Sequence, residues 1–163
     1  MKSRISILVL FLTFIGNAQE SISDLLSQHN HKNIPYISVQ ELASPKTQAI
    51  ILDTREEREY ETSHIKNALF VGYNHFSLDS VLHKISDKNE KIVVYCSIGI
   101  RSEKIAYKLK MAGYLHVFNL YGGIFEWKNN DFPVYNSEGK ETENVHTYSE
   151  NWSKWLKKGH KIY

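Results

Sequence analysis

The chain has one cysteine in 163 residues. That excludes an intramolecular disulfide, and it excludes thiol–disulfide exchange through a resolving cysteine on the same chain. Charge of one sign is also missing. Twenty basic residues face 18 acidic ones, a formal charge of +2. That balance gives no footing for a nucleic-acid partner. Internal repeats and low-complexity tracts are absent. A membrane-length apolar run is missing as well. The stretch from Ile5 to Ile15, apolar apart from Ser6 and Thr13, is too short to span a bilayer.

That short run has another use. It follows the basic Met1-Lys2-Ser3-Arg4 and precedes Gly16-Asn17-Ala18, with small residues at the third and first positions before a break. This is the pattern of a secretory signal peptide over residues 1–18, cleaved after Ala18, so the mature chain is expected to begin at Gln19. The protein is then exported, to the periplasm or the medium. The break is not followed by a cysteine, so no lipid anchor is expected and no stable membrane anchor at all. Losing Lys2 and Arg4 from the 20 basic residues leaves 18 against 18 acidic ones. A lone thiol in an oxidising compartment is buried and inert, paired between chains, or kept for its reactivity.

What is present is an alternation. The apolar fraction of 42% and the length suit one domain with its own core. Residues 19–34 read as a short helix or an arm. Tyr36-Ile37 is a short strand, and Ser38 caps a helix over "VQEL". "AIILD" (49–53) is a continuous apolar run of buried-strand length. "TREEREYETS" is polar with helical propensity, and "ALFVG" is another short buried strand. Leu78, Val81, Leu82 and Ile85 recur at helical spacing behind Ser77. "KIVVYC" is a strand; the helix after it carries Ile105, Leu109 and Ala112 on one face and stops at Gly113. "HVFNL" is a strand and "GIFEWKNN" a helix. The order predicts an α/β fold: a central parallel sheet of about five strands with helices on both faces. Residues 137–163 form a polar tail ending in Trp152, Trp155, Leu156 and Ile162 among lysines. It reads as an amphipathic helix packed on the domain rather than as a membrane-surface segment.

The cysteine sits at a chemically informative place. Cys96 ends a strand, a helix starts near Arg101, and only Ser97, Ile98, Gly99 and Ile100 lie between. In parallel sheets, sites form outside the carboxyl ends of strands. Cys96 is therefore expected at the mouth of a site. Gly99 permits a tight loop whose amides turn inward as an anion nest, and the helix aims its positive end at the same point. Arg101 adds a permanent charge and a fork of donors. Together these predict a lowered thiol pKa. Free cysteine is among the most buried residue types, but the strand end, the glycine loop and the arginine argue for reactivity instead.

These residues resemble a rhodanese domain. "ILDTREEREYETSHIKNALFVGY" is similar to the family's first signature, through Asp53, Arg55, Glu59, Tyr60, His64, Ile65 and Ala68. "YGGIFEWKNNDFPV" resembles its closing signature, through Gly122, Gly123, Trp127, Pro133 and Val134. Three segments match in order, placing the domain at residues 35–136. Ser63 stands where the family usually has glycine. The resemblance implies a sulfurtransferase fold with Cys96 as the catalytic residue. Asp53 and Arg55 at a strand end read as an ion pair fixing the loops, with His64 hydrogen-bonded to it. The two glycines read as a close backbone passage and Trp127 as a packing anchor.

Loop length separates sulfur from phosphorus. Cysteine phosphatases carry five residues between cysteine and arginine; this chain carries four. The smaller ring suits a persulfide. The expected mechanism has two half-reactions: Cys96 takes a sulfane sulfur from a donor such as thiosulfate or a persulfide, then passes it to a thiol, cyanide or protein acceptor. The amides of residues 97–101 stabilise the anionic sulfur. Arg101 binds or orients the anionic donor, and Ile98 and Ile100 make an apolar rim. This chemistry requires no metal and no organic cofactor. Two alternatives remain: a binding or sensing module on the same fold, against which the intact Cys96 and Arg101 argue, and a cysteine phosphatase.

Overall fold

The computed structural model describes residues 20–163; the predicted export signal lies outside the described residues. The elements run α1 (Ile22–His29), β1 (Tyr36–Ile37), α2 (Val39–Ala43), β2 (Ile50–Asp53), α3 (Glu57–Thr62), β3 (Leu69–Phe70), α4 (Leu78–Lys84) and β4 (Lys91–Tyr95). Then follow α5 (Ile100–Met111), β5 (His116–Leu120), α6 (Gly123–Asn129), β6 (Val134–Tyr135), β7 (Glu141–Thr142), β8 (Asn144–His146), α7 (Glu150–Ser153) and β9 (His160–Ile162).

The first five strands form one sheet in the order β1-β5-β4-β2-β3. All four pairings are parallel. Strand β4 lies at the centre and shows why both faces are covered. Val93 and Tyr95 point into a core shared with Leu25 and Leu26 of α1, Leu42 of α2, and Ile124 and Phe125 of α6. Ile92 and Val94 point the other way, onto Val81 of α4 and Ile105, Ala106 and Leu109 of α5. A strand buried on both faces reads as an unbroken apolar run, which is why "KIVVY" does not alternate.

Local signals set the helix ends. Ser21 and Asp24 form a capping box at α1. Ser38 Oγ accepts from the Glu41 amide at 3.1 Å, and Ser77 Oγ from the Ser80 amide at 3.2 Å. Two details differ from expectation. Strand β3 is an edge strand whose Leu69 is 39% exposed, not buried. Ser63, in the family's glycine position, has extended backbone (φ −170°, ψ 152°), so the turn needs no glycine.

The tail does not form a long helix. Its β7 pairs antiparallel with β6 of the domain, β8 and β9 form a parallel pair, and α7 is a single turn. Asn129 at the end of α6 ends that turn. Its Nδ2 donates to the Trp155 carbonyl at 3.0 Å, and its Oδ1 accepts from the Lys157 amide at 2.7 Å. Helical continuation would require those backbone groups for itself. Val145, Trp155 and Leu156 instead enter the core beside α1 and α6.

Candidate active site

Parallel register brings the site's parts to one edge. Asp53, the last residue of β2, is paired with Tyr95, the last of β4. Cys96 follows directly. The chain then bends through residues 97–99 into α5, with Gly99 at φ 121°, a conformation that favours glycine. Two asparagines hold the bend: Asn119 Nδ2 and Asn30 Nδ2 donate to the Gly99 carbonyl at 2.8 and 3.0 Å. Helix α6 clamps the other side. The amide of Ile124 donates to the Cys96 carbonyl at 3.0 Å, and that of Phe125 to the Ser97 carbonyl at 3.1 Å. Gly123 makes this possible, because a Cβ there would lie 2.3 Å from the Cys96 carbonyl oxygen. The expected close backbone passage at this glycine pair is therefore a contact with the cysteine loop itself.

Cys96 is 2% exposed and lies at the floor of a cavity of about 360 Å³ rather than at its mouth. Its Sγ accepts from the Gly99 amide at 3.1 Å. Ser102 Oγ stands 3.6 Å from the sulfur and 2.7 Å from Asn119 Oδ1. A hydroxyl has one proton, so Ser102 donates to the carbonyl or to the sulfur, one at a time. Burial pushes the Cys96 pKa up. The Arg101 charge, the Ser102 hydroxyl and amide, and the Gly99 amide outweigh it and hold the thiol below its ordinary value.

Arg101 lies beside the sulfur, but its fork is occupied. Its Nη1 and Nη2 bind Oε2 and Oε1 of Glu59, each at 2.7 Å, and Nη2 also donates to Ser97 Oγ at 3.0 Å. Glu59 is 2% exposed, and also accepts from the Ser97 hydroxyl and the Glu56 amide. Burial raises its pKa, but the hydrogen bonds and charge of Arg101, with Arg55 behind it, hold it below the usual carboxylate range. Arg101 thus orients Glu59 and Ser97 and sets the local potential. In this ligand-free arrangement both terminal nitrogens of Arg101 are engaged by Glu59 and Ser97.

The Asp53–Arg55 pair is fully buried, at 2.6 Å. Arg55 Nη2 also donates to the Ser63 carbonyl at 2.6 Å, and Tyr95 OH donates to Asp53 Oδ2 at 2.6 Å. The network ties the ends of β2 and β4 to the turn before Ile65. His64 is not part of it. Its Nδ1 pairs with the Tyr60 carbonyl at 3.0 Å, and its ring stacks on Tyr60 at 4.0 Å. The backbone reason is the His64–Tyr135 bridge, which holds His64 toward β6. Ile98 and Ile100 both line the cavity, Ile98 from a position that is 2% exposed and also packs into the core.

Several functional neighbours escaped the sequence reading. Glu59 stands in the first signature, and a buried carboxylate there needs a cation; that signal was available. Ser102 and Asn119 carried none. The cavity's remaining wall comes from Tyr73, Tyr148 and Trp152. The Tyr148 ring lies 4.9 Å from the Arg101 guanidinium carbon.

A five-stranded parallel sheet with a cysteine loop clamped between two helix starts defines a class, and the sequence comparison agrees with it. The rhodanese-like domain profile matches residues 38–130, and the chain belongs to that family. Among curated relatives, the chain is similar to thiosulfate sulfurtransferase GlpE of Coxiella burnetii, 34% identical over 100 residues, 60% of this chain and 88% of the relative. It is also similar to tRNA uridine(34) hydroxylase of the Aster yellows witches'-broom phytoplasma, 35% identical over 99 residues. That match covers 56% of this chain and only 32% of the hydroxylase. Among solved structures, the rhodanese-like domain from Anabaena superposes with a TM-score of 0.56 at 25% identity, covering 63% of this chain and 79% of that one.

Proposed function

We propose that the protein is a sulfurtransferase that carries a sulfane sulfur on Cys96. The observation behind this reading is the placement of one nucleophilic sulfur at the start of α5, 3.1 Å from the Gly99 amide and beside Arg101. A curated relative named for thiosulfate sulfur transfer, covered over 88% of its length, supports it.

In the first half-reaction the Cys96 thiolate attacks the outer sulfur of a donor such as thiosulfate. The donor's S–S bond breaks and its electron pair leaves with sulfite. A new bond joins Sγ to the transferred sulfur, which keeps one negative charge as a persulfide. In the second, an acceptor thiolate or cyanide attacks that outer sulfur. The electron pair returns to Sγ and the thiolate is restored. The Gly99 and Ser102 amides, at the amino end of α5, stabilise the anionic sulfur in both steps. Arg101 keeps the sulfur ionised. Four residues between Cys96 and Arg101 make a smaller ring than phosphate chemistry uses.

The test is direct. Exposure to thiosulfate is expected to add the mass of one sulfur atom at Cys96, and later addition of cyanide to release thiocyanate. The Cys96→Ser variant gains nothing. Equal behaviour of wild type and variant sinks the proposal.

A further inference from the structure

We propose that residues 144–163 build a specificity wall, and that the sulfur compound taken at Cys96 is organic: a singly charged sulfur anion bearing an apolar, ring-sized group. This rests on the sulfur-transfer reading above and narrows it to a substrate class.

The wall is the first observation. The family match ends at residue 130, yet Tyr148 and Trp152 line the cavity over Cys96 together with Tyr73 and Ile100. A cavity of about 360 Å³ holds a small ring-bearing molecule, and its aromatic sides match such a ring better than an inorganic anion.

Charge is the second. Thiosulfate brings two negative charges to a thiolate. The cation best placed to receive them, Arg101, already binds Glu59 through both terminal nitrogens and Ser97 through one of them. Glu59 offsets the Arg101 charge. The other positive group at the sulfur is the amino end of α5, whose Gly99 amide meets Sγ at 3.1 Å, and it suits one negative charge on sulfur.

The third is the conformation of Tyr148. Its φ is 65°, in the left-handed region that a residue of this bulk rarely adopts. Neighbouring bonds hold it there. The Tyr148 amide donates to His146 Nδ1 at 3.0 Å, and the Thr147 amide and hydroxyl both donate to the Ile162 carbonyl. Burial of His146 holds its pKa below the usual imidazole range, which favours the neutral ring that this hydrogen bond requires. The tyrosine is 56% exposed, so core packing does not explain the strain. The strained backbone instead sets the ring against Arg101, at the edge of the cavity.

An arenethiosulfonate shows the balanced step. Sγ attacks the sulfane sulfur, the bond to the sulfonyl sulfur breaks, and its electron pair leaves with arenesulfinate. One thiolate and one thiosulfonate become one persulfide and one sulfinate, with two negative charges before and after.

The experiment compares kcat/KM for benzenethiosulfonate and thiosulfate, with cyanide as acceptor, using the full chain. Wild type is expected to prefer the aryl donor. In Tyr148→Ala and Trp152→Ala the aryl-to-thiosulfate ratio is expected to fall about tenfold, mostly through KM. Tyr148→Phe is expected to retain the ratio, as is Met111→Ser, a change at a 69% exposed residue of the far end of α5. A preference for thiosulfate in wild type, or an unchanged ratio in Tyr148→Ala, overturns the wall while leaving sulfur transfer standing. Loading of Cys96 by neither donor overturns both.

Discussion

At the residue scale the decisive contest is between burial and charge at Cys96. Burial alone favours the neutral thiol. Arg101 and the donors from Ser102 and Gly99 reverse that preference. The sign has a measurable consequence. Alkylation by iodoacetamide requires the thiolate, so its rate rises with pH through the thiol pKa. For the wild type, the midpoint is expected below that of an ordinary cysteine. Arg101→Gln removes the largest favourable contribution, so its midpoint is expected to move up and its rate at neutral pH to fall. A midpoint at or above the ordinary thiol value in the wild type would show that burial wins. The sequence made part of this legible, because Cys96, Gly99 and Arg101 are close along the chain. It showed Glu59 in the first signature but hid its pairing with Arg101, 42 positions away. Pairings of that span depend on where α3 lands, and no local spacing encodes it.

At the element scale, the site is held by two helix starts from opposite sides. The Gly99 amide at the cap of α5 donates to the sulfur, and α6 holds the carbonyls behind it. The clamp works because Gly123 has no side chain. An added Cβ would lie 2.3 Å from the Cys96 oxygen and 2.7 Å from the Ser97 carbonyl carbon, all backbone atoms that cannot swing away. Gly123→Ala is therefore expected to shift the loop. Displacements on the order of 1 Å cost roughly 100-fold in well-positioned chemistry, so a fall of roughly 10- to 100-fold in kcat/KM is expected. Gly139→Ala is the control: φ there is also positive (73°), but a Cβ meets nothing within 4 Å. Equal activity losses in the two variants would point to backbone strain rather than displacement.

The same scale shows what sequence patterns can carry. The five strands of the main sheet and helices α2 to α6 follow from apolar runs, caps and stops that act within a few residues. Ser38, Ser77 and Gly113 are such signals, and each stands at the helix end it implied. Strand β3 misled because "ALFVG" is apolar enough for a core. Its two ladder residues lie on the sheet edge, where Leu69 faces water. The tail misled for a different reason. Its helical spacing is real, but Asn129, in another element, takes the carbonyl and amides that a longer helix needs.

At the scale of the whole molecule, the family's domain is extended at both ends by segments that enter its core. Leu25 and Leu26 arrive from α1, and Val145, Trp155 and Leu156 from the tail. If the tail were a loosely attached appendage, its loss would leave the sheet and helices intact. Burial argues otherwise. Leu156 is 1% exposed and shares its core with Phe125 and Ile124 of α6, the helix that clamps the cysteine loop. Leu156→Ala removes a buried side chain from that shared core and leaves a cavity, expected to cost about 2–5 kcal/mol of unfolding free energy. Urea titration followed by both far-UV circular dichroism and tryptophan fluorescence checks the magnitude and the coupling. Trp152 and Trp155 report from the tail, Trp127 from α6. One coincident transition at lower urea for both probes is expected, because tail and domain share a core. A separate early fluorescence transition, with the helical signal unmoved, would mean that the tail folds apart from the domain. It could not then hold Tyr148 against Arg101.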